Sequence, residues 1–292
     1  MTAVGADAIG LVLARPARLL GLEPFFMELI GGIDETLSTD DRSLLLHVVP
    51  DHDAEIAAYR RWGRGRLVDA VVLVNLVDAD PRPAVLRELA IPTVVVGGPE
   101  RTLPDVAHVW IDNAQAMHDA VGYLVDLGHD RIGRVSGPAT LAHTRSRTRA
   151  FLAECAARGA HGVVVEGDYG EASGTRAARA LLGRNDPPSA LVFDNDVMAL
   201  AGLGVAHEMG LAVPGDVSLL AWDDSAMCRL AHPPLSAMSL DVHAMGVQVA
   251  DAVLNLLASG RPTTSTAPLP RLVARGSTAR RPPAGADVAR HA

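Results

Sequence analysis

The chain has 292 residues, of which 49% are hydrophobic and 3% aromatic, and its 34 acidic and 26 basic residues give a formal net charge of −8. This length suits two domains, and the apolar share is sufficient for a sizeable core, so we do not expect a disordered chain. The negative charge and the absence of a dense basic run exclude the usual electrostatic footprint of a nucleic-acid-binding domain.

Residue types narrow the classes further. All 26 basic residues are arginines, which excludes chemistry that needs a lysine, such as a Schiff base or a phosphate-binding loop. The two cysteines, Cys155 and Cys228, lack metal-ligand spacing and favour a reduced, cytoplasmic protein. The N-terminus lacks a signal-peptide pattern, and no apolar stretch approaches the ~18 residues of a membrane span, so we predict neither export nor a membrane.

Apolar runs alternate with helical patterns from end to end. The runs predict strands at 9–13, 44–49, 70–74, 93–96, 109–111, 132–135, 163–165, 191–193, 217–221 and 237–240. Most of them are continuously hydrophobic, as expected of parallel strands covered on both faces. Apolar residues at helical spacing lie between many of these strands, for example within 26–37 and 117–125. This order predicts an α/β fold, and ten strands favour two doubly wound parallel sheets over one.

Polar clusters follow two neighbouring predicted strands. The first strand runs into Asp194, Asn195 and Asp196, and the second runs into Asp223 and Asp224. Ligands of open α/β sheets bind just outside the carboxyl ends of the strands, so these clusters predict a polar-ligand site. The alternative is helix capping. It stays open for Asp196, which abuts the first helix, and we assign it to Asp224 for the second. We expect Asn195 and Asp223 to contact a ligand, because an amide both donates and accepts and a carboxylate can accept two sugar hydroxyls.

Two further segments contain candidate ligand residues. Arg145, Arg147 and Arg149 alternate near a helix start, so they cannot all share one helix face, and one of them is expected to turn inward. Tyr169 follows the predicted strand 163–165, where its ring could stack on a ligand or simply pack in the core.

Patterns typical of catalysis are weak. Gly63 and Gly65 precede a strand instead of following one and lack a third glycine, and Ser136 lacks the flanking glycines of a nucleophile elbow. The eleven histidines have no metal-ligand spacing. We therefore predict no catalytic residue, no metal site and no cofactor.

Strings spread along the chain resemble the lactose/galactose repressor (LacI/GalR) family of bacterial transcription regulators. The most specific are GHDRIG at 128–133, FDNDVMA at 193–199 and VPGDVSLLAWDD at 213–224, and the resemblance extends from Ile9 to about Thr278. It implies two doubly wound lobes of the type I periplasmic-binding-protein kind, joined by three crossovers, with a small effector bound between them. It also implies a homodimer.

The resemblance implies lobe boundaries and site residues. The N-terminal lobe is expected at 8–112 plus 242–267 and the C-terminal lobe at 113–241 plus 268–278. Separately, the sequence from Gly276 has no apolar periodicity, which predicts a disordered tail at 279–292. The family's effector-contacting arginine, asparagine, aspartate and aromatic wall correspond to Arg147, Asn195, Asp223 and Tyr169. Around Arg147 an alanine replaces the usual glycine of the family string. Arg15 corresponds to a further contact region, where a short polar residue is usual.

The front of the chain departs from the family pattern. Only eight residues precede Ile9, too few for a three-helix DNA-reading unit. We therefore expect either a truncated chain or a free-standing effector domain, and operator DNA is a partner only through a helix-turn-helix head. The expected function is sensing of a small molecule, a sugar or polyol, without catalysis. The alternative is a stand-alone cytoplasmic sugar-binding protein with no DNA role, and an enzyme acting on a sugar is a more distant one.

Overall fold

The described residues, 6–15, 24–97 and 106–281, form two six-stranded sheets in this computed structural model. The strands are β1 (Ala8–Ala14), β2 (Ser43–Val49), β3 (Ala70–Leu73), β4 (Thr93–Val96), β5 (Ala107–Trp110), β6 (Arg131–Ser136), β7 (His161–Glu166), β8 (Ala190–Phe193), β9 (Ser218–Trp222), β10 (Ser236–Ser239), β11 (Thr264–Thr266) and β12 (Arg271–Val273). All ten predicted strands are present, and β11 and β12 were not predicted.

Helices connect most successive strands. They are α1 (Pro24–Ser38), α2 (His52–Gly65), α3 (Arg82–Glu88), α4 (Asn113–Asp126), α5 (Ala142–Ala157), α6 (Glu171–Leu182), α7 (Asp196–Glu208), α8 (Ala226–Leu230) and α9 (Val242–Ser259). One sheet has the order β11-β5-β4-β3-β1-β2 and the other β12-β10-β9-β8-β6-β7. Every pairing is parallel except that of β10 with β12. The predicted α/β class with two parallel doubly wound sheets is confirmed.

The chain divides into two units, one around each sheet. The first comprises Met1–Asp112, Thr140–His143 and Asp241–Leu269, and the second comprises Asn113–Ala139, Thr144–Leu240 and Pro270–Ala292. The chain thus passes from one unit to the other after Asp112, Leu240 and Leu269, and the short segment Thr140–His143 groups with the first unit.

The central strands are buried over their whole length because helices cover both faces of each sheet. All four residues of β3, β4 and β8 are buried, and so are all five of β9. Such strands read as unbroken apolar runs, which is why periodicity identified them. In the second unit this rigid sheet brings the loops after β6, β7, β8 and β9 to one edge.

Helix α9 corrects one sequence expectation. It is the one helix of the described residues that is long and apolar enough to span a membrane by length and composition, whereas we expected no such stretch. Eight of its residues are buried, and it packs against α1 and the strands β3, β4 and β5 of the first unit. A buried core helix passes the same test as a membrane span, so this composition is explained by the packing.

The predicted tail begins too early. Ala279 N donates to Ser218 Oγ at 3.1 Å, and Ala279 O accepts a hydrogen bond from His129 Nε2 at 3.2 Å. Arg281 N donates to Leu127 O at 2.8 Å. Residues 279–281 therefore pack on the second unit although they lack apolar periodicity, because backbone hydrogen bonds and an ion pair between Arg281 and Asp130 hold them there. Residues 282–292 lie outside the described residues.

Candidate functional site

The carboxyl ends of four parallel strands of the second unit carry the predicted polar residues. Gly137 follows β6, Tyr169 follows β7 by three residues, the Asp194–Asn195–Asp196 cluster follows β8, and Asp223 follows β9 directly. Because neighbouring parallel strands end at the same edge of a sheet, these loops share one edge. The hydrogen bonds within this edge assign a different role to each side chain.

Asp194 belongs to a buried ion pair that sequence analysis missed. Arg134, inside β6, donates from Nε to Asp194 Oδ1 at 2.9 Å and from Nη2 to Oδ2 at 2.6 Å, and both side chains are buried. The backbone N–H of Gly137 also donates to Oδ2 at 3.0 Å. Burial favours the neutral acid, but Arg134, Arg147 and this N–H outweigh it and lower the pKa of Asp194. Asp194 therefore fixes the strand ends in place.

Asn195, and not Asp196, caps helix α7. Its Oδ1 accepts from Met198 N at 2.9 Å, and its Nδ2 donates to Tyr169 O at 2.9 Å. The capping role that was open for Asp196 is therefore excluded, since Asp196 lies in the first turn, where its Oδ1 accepts from Val197 N. An amide has two donors and two acceptor lone pairs, so these bonds leave one of each for a ligand. Burial raises the pKa of Asp196.

Tyr169 is held in the left-handed backbone region, with φ of 68°. Its carbonyl accepts from Asn195 and its hydroxyl lies 3.2 Å from Thr144 Oγ1. A Cβ at Gly137 would come within 2.2 Å of the tyrosine ring, so only glycine allows the ring to lie against this loop. Burial, reinforced by Asp194, raises the pKa of Tyr169 to about 12. This non-glycine residue holds an unfavourable backbone conformation because three neighbours fix it.

Asp223 differs from the other carboxylates of this edge. It is half-buried, its φ is 68°, and its side chain forms no hydrogen bond or ion pair within the described residues. Burial is the main cause that raises its pKa to about 7; the carboxylates of Asp196 and Asp194 add to this shift, and Arg147 opposes it. A carboxyl group in this state has unused hydrogen-bonding capacity that a ligand can take up.

Asp224 serves the structure in a way that we did not predict. The cap of α8 is Ser225, whose hydroxyl accepts from Met227 N at 3.1 Å, so the assignment of this cap to Asp224 is wrong. Asp224 instead accepts from Arg275 Nη2 at 2.7 Å. Arg275 follows β12, a strand absent from our sequence prediction, which is why this partner could not be foreseen.

Arg147, on α5, faces the same edge. Its Nε donates to Asn113 Oδ1 at 2.8 Å, and its Cζ lies 4.0 Å from the centroid of the Trp222 ring. The Nε bond uses one of the five N–H donors of a guanidinium. Its positive charge helps to lower the pKa of Asp194 and opposes the rise in the pKa of Asp223.

Arg15 belongs to the first unit. It follows β1, its N donates to Val49 O at 2.9 Å, and its guanidinium lies 4.4 Å from the centroid of the Phe26 ring. It lies at the carboxyl end of a central strand of its own sheet, the position at which such sheets bind ligands. The other four predicted site residues all belong to the second unit.

The chemistry of this edge is that of hydrogen bonding. Within the described part of the chain, no group of three or more His, Cys, Asp or Glu side chains could hold a metal ion. Both cysteines are buried, and burial raises the pKa of Cys155 to about 11 and that of Cys228 to about 12, so their thiolates are disfavoured.

Comparison with known proteins identifies the family. The periplasmic binding protein-like domain family matches residues 121–278. The chain is 30% identical over 249 residues to the HTH-type transcriptional regulator CelR of Thermobifida fusca, an alignment that covers 84% of this chain and 73% of CelR. The chain belongs to the LacI family of transcriptional regulators.

Solved structures of LacI-family regulators share the fold. A LacI family transcriptional regulator from Bifidobacterium animalis subsp. lactis superimposes with a TM-score of 0.88 at 32% identity, covering 96% of this chain and 100% of that one. The transcriptional regulator CelR in complex with cellobiose gives a TM-score of 0.86 at 28% identity, covering 93% of this chain and 84% of the other. These relatives are transcriptional regulators, not enzymes.

Proposed function

We propose that this LacI-family chain senses a small, neutral, polyhydroxylated effector, a sugar, through the carboxyl edge of the sheet in its second unit. The observation that carries the proposal is the carboxyl group of Asp223, which is half-buried, has a raised pKa and forms no hydrogen bond within the described residues. A buried group of this kind costs stability unless a ligand supplies its partners.

The neighbouring side chains match the chemistry of a sugar. Asp223 can accept two hydroxyl hydrogens, and Arg147 can donate to hydroxyl oxygens from the same side of the edge. Asn195 retains one donor and one acceptor, and Tyr169 offers a ring face. In support, a similar chain, CelR, is known in complex with cellobiose. We keep Arg147, Asn195, Asp223, Tyr169 and Arg15 as the proposed contact residues.

The charge balance favours a neutral ligand over an anionic one. Arg134 is already paired with the carboxylate of Asp194, whereas Arg147 donates to the amide oxygen of Asn113. Above pH 7, where Asp223 is ionised, a phosphate placed near Arg147 would also meet the negative charge of Asp223. A pair of vicinal hydroxyls, which donates to one group and accepts from the other, faces no such repulsion.

Family membership favours a regulator over the alternative of a stand-alone binding protein. We propose that the chain acts in the cytoplasm as a homodimer, that it catalyses no reaction on its effector, and that operator DNA is bound by a helix-turn-helix segment joined to these units. Sedimentation equilibrium at micromolar concentration should show a dimer; a monomer throughout would contradict the dimer alone. Unchanged sugar recovered after prolonged incubation supports sensing, whereas turnover would favour an enzyme.

The site is tested by titration with cellobiose, maltose, glucose, galactose, glucose 6-phosphate and adenosine, followed by calorimetry and thermal shift. We expect a neutral sugar to bind and Asp223→Asn or Arg147→Ala to weaken it by about ten- to a hundredfold, since losing a hydrogen bond to a charged group costs about 1.5–3 kcal/mol. The matched control is Asp224→Asn, one residue away, which should retain affinity. Loss of affinity in Asp224→Asn with none in Asp223→Asn would overturn the assignment.

A further inference from the structure

We infer that Asn113 and Trp222 are positioning residues, which hold the guanidinium of Arg147 in the orientation that receives the effector. This inference rests on the proposed function and names two residues to which neither the sequence pattern nor the resemblance gave a role. The three side chains come from different elements: Asn113 is the first residue of α4, Arg147 lies in α5, and Trp222 is the last residue of β9.

Asn113 controls the direction of the guanidinium within its plane. The asparagine is 5% exposed, and its Oδ1 accepts from Arg147 Nε at 2.8 Å. Nε is the nitrogen nearest the aliphatic stem, so this bond restricts rotation about the Cδ–Nε bond while leaving the two terminal nitrogens as a fork. A hydrogen bond from a charged donor is shorter and stronger than one between neutral groups, which makes this restraint effective even on a long side chain.

Trp222 restrains the same group from its face. Its indole is 2% exposed, and its ring centroid lies 4.0 Å from Arg147 Cζ, a cation–π distance. One contact restricts the in-plane direction and the other restricts the distance from the ring, so together they leave the guanidinium little freedom. Trp222 also directly precedes Asp223. The end of strand β9 therefore positions both the guanidinium of Arg147 and the carboxyl group of Asp223.

The consequence for binding is preorganisation. A free arginine side chain has many rotamers, and a ligand that had to order it would bind more weakly. With Asn113 and Trp222 in place, the ordering has already occurred when the effector arrives. Loss of Asn113 should therefore weaken effector binding about tenfold, although Asn113 need not touch the effector.

The first test uses the effector-free chain. In NMR spectra of 15N-labelled protein, the Nε–H resonance of Arg147 is assigned by its loss in Arg147→Lys. We expect this Nε proton to exchange slowly with water. Asn113→Ala should abolish that protection, Asn113→Asp should restore it because a carboxylate also accepts from Nε, and Asp119→Ala, an exposed change on the same helix, should leave it unaltered. Trp222→Phe retains an aromatic ring and should keep most of the protection of the Arg147 Nε–H. Trp222→Leu has no aromatic ring and should remove the ring-current shift of that resonance. Equal protection in Asn113→Ala and the wild type would overturn the inference.

The second test is a double-mutant cycle on cellobiose affinity. If Asn113 acts through Arg147, Asn113→Ala should cost about tenfold in the wild type and less than twofold in Arg147→Ala, with melting temperatures recorded for every variant. Equal costs in both backgrounds would contradict the positioning role. A different result would contradict the proposed function alone. In that case Arg147→Ala would bind cellobiose as tightly as the wild type, while the protection of the Arg147 Nε–H would still depend on Asn113.

Discussion

Two carboxylates at neighbouring strand ends of the second unit have opposite pKa shifts, and their surroundings explain why. Asp194 is paired with Arg134 and accepts from Gly137 N, which lowers its pKa despite burial. Asp223 is half-buried and has no such partners, and burial raises its pKa to about 7. The first carboxylate stabilises the fold, and the second is the one that a ligand can stabilise.

This difference predicts that Asp223→Asn stabilises the effector-free protein at alkaline pH. The folded pKa of Asp223 lies above the unfolded value, so the folded chain keeps a proton that the unfolded chain releases, and stability falls as pH rises from about 4 to about 7. A shift of one pKa unit is worth about 1.4 kcal/mol, and since Asp223 retains some solvent we expect a gain of about 1–2 kcal/mol at pH 8. Urea unfolding at pH 8 and at pH 4 measures it.

The comparison between the two pH values isolates the charge. Any preference of asparagine for the left-handed backbone at this position is independent of pH and cancels. Asp224→Asn is the control with the opposite sign, since it breaks the pair with Arg275 and should destabilise the protein at pH 8. An Asp223→Asn variant less stable than the wild type at pH 8 would contradict the prediction.

Effector affinity should depend on pH through the same group. Hydroxyls that donate to Asp223 favour its ionised form, so binding lowers the pKa and releases a proton at neutral pH. Affinity should therefore be constant well above pH 7 and fall by up to about tenfold per pH unit below it. Calorimetry with cellobiose in two buffers of different ionisation enthalpy detects the proton. A pH-independent affinity in the wild type, equal to that of Asp223→Asn, would refute the link.

For individual residues, the sequence predicted their positions at strand ends better than their hydrogen-bond partners. The ends of β8 and β9 were located correctly, because an apolar run followed by Asp and Asn is visible in one dimension. The sequence did not identify the capping residues, Asn195 and Ser225, because the choice among adjacent polar residues depends on backbone angles. Arg134 was a missed signal: a charged residue inside the apolar run 132–135 requires a buried partner, and Asp194 was available.

At the scale of elements, helices α1 and α9 of the first unit cross closely at glycines. A Cβ at Gly246 would lie 2.4 Å from Leu29 O, and one at Gly32 would lie 2.1 Å from His243 O, so the two backbones meet at glycines. We predict that Gly246→Ala destabilises the chain by about 1–3 kcal/mol, since neither backbone can move aside without losing packing. Denaturant unfolding measures the loss.

Gly204 on α7 provides the matched control, because a Cβ there would meet nothing within 4 Å. Gly204→Ala should raise stability by about 0.5–1 kcal/mol through helix propensity alone. If Gly246→Ala and Gly204→Ala change the free energy of unfolding in the same direction, the close crossing of the helices is not what requires glycine at position 246.

Element prediction found the buried central strands and the edge strands β2 and β7, but it missed the edge strands β11 and β12. β11 and β12 are three residues long, with the sequences TST and RLV, and each lies at the edge of its sheet. Neither of these three-residue strands contains a continuous apolar run, so periodicity does not reveal them. Missing β12 also affected the prediction of the site, because Arg275, the ion-pair partner of Asp224, follows this strand.

For the whole molecule, net charge decides what this polypeptide does with DNA. Phosphate neutralisation by basic side chains supplies most non-specific affinity, and this chain has 34 acidic against 26 basic residues. Several of those arginines are already committed to carboxylates, among them Arg82 to Glu55 and Arg134 to Asp194. We therefore predict that the 292-residue chain by itself shows no salt-sensitive, sequence-specific binding to duplex DNA, with or without cellobiose. Fluorescence anisotropy with palindromic and scrambled duplexes at low ionic strength tests this. Specific binding that weakens with added salt would mean that these two units carry a DNA-binding surface of their own. It would contradict the proposal that a separate helix-turn-helix segment binds the operator.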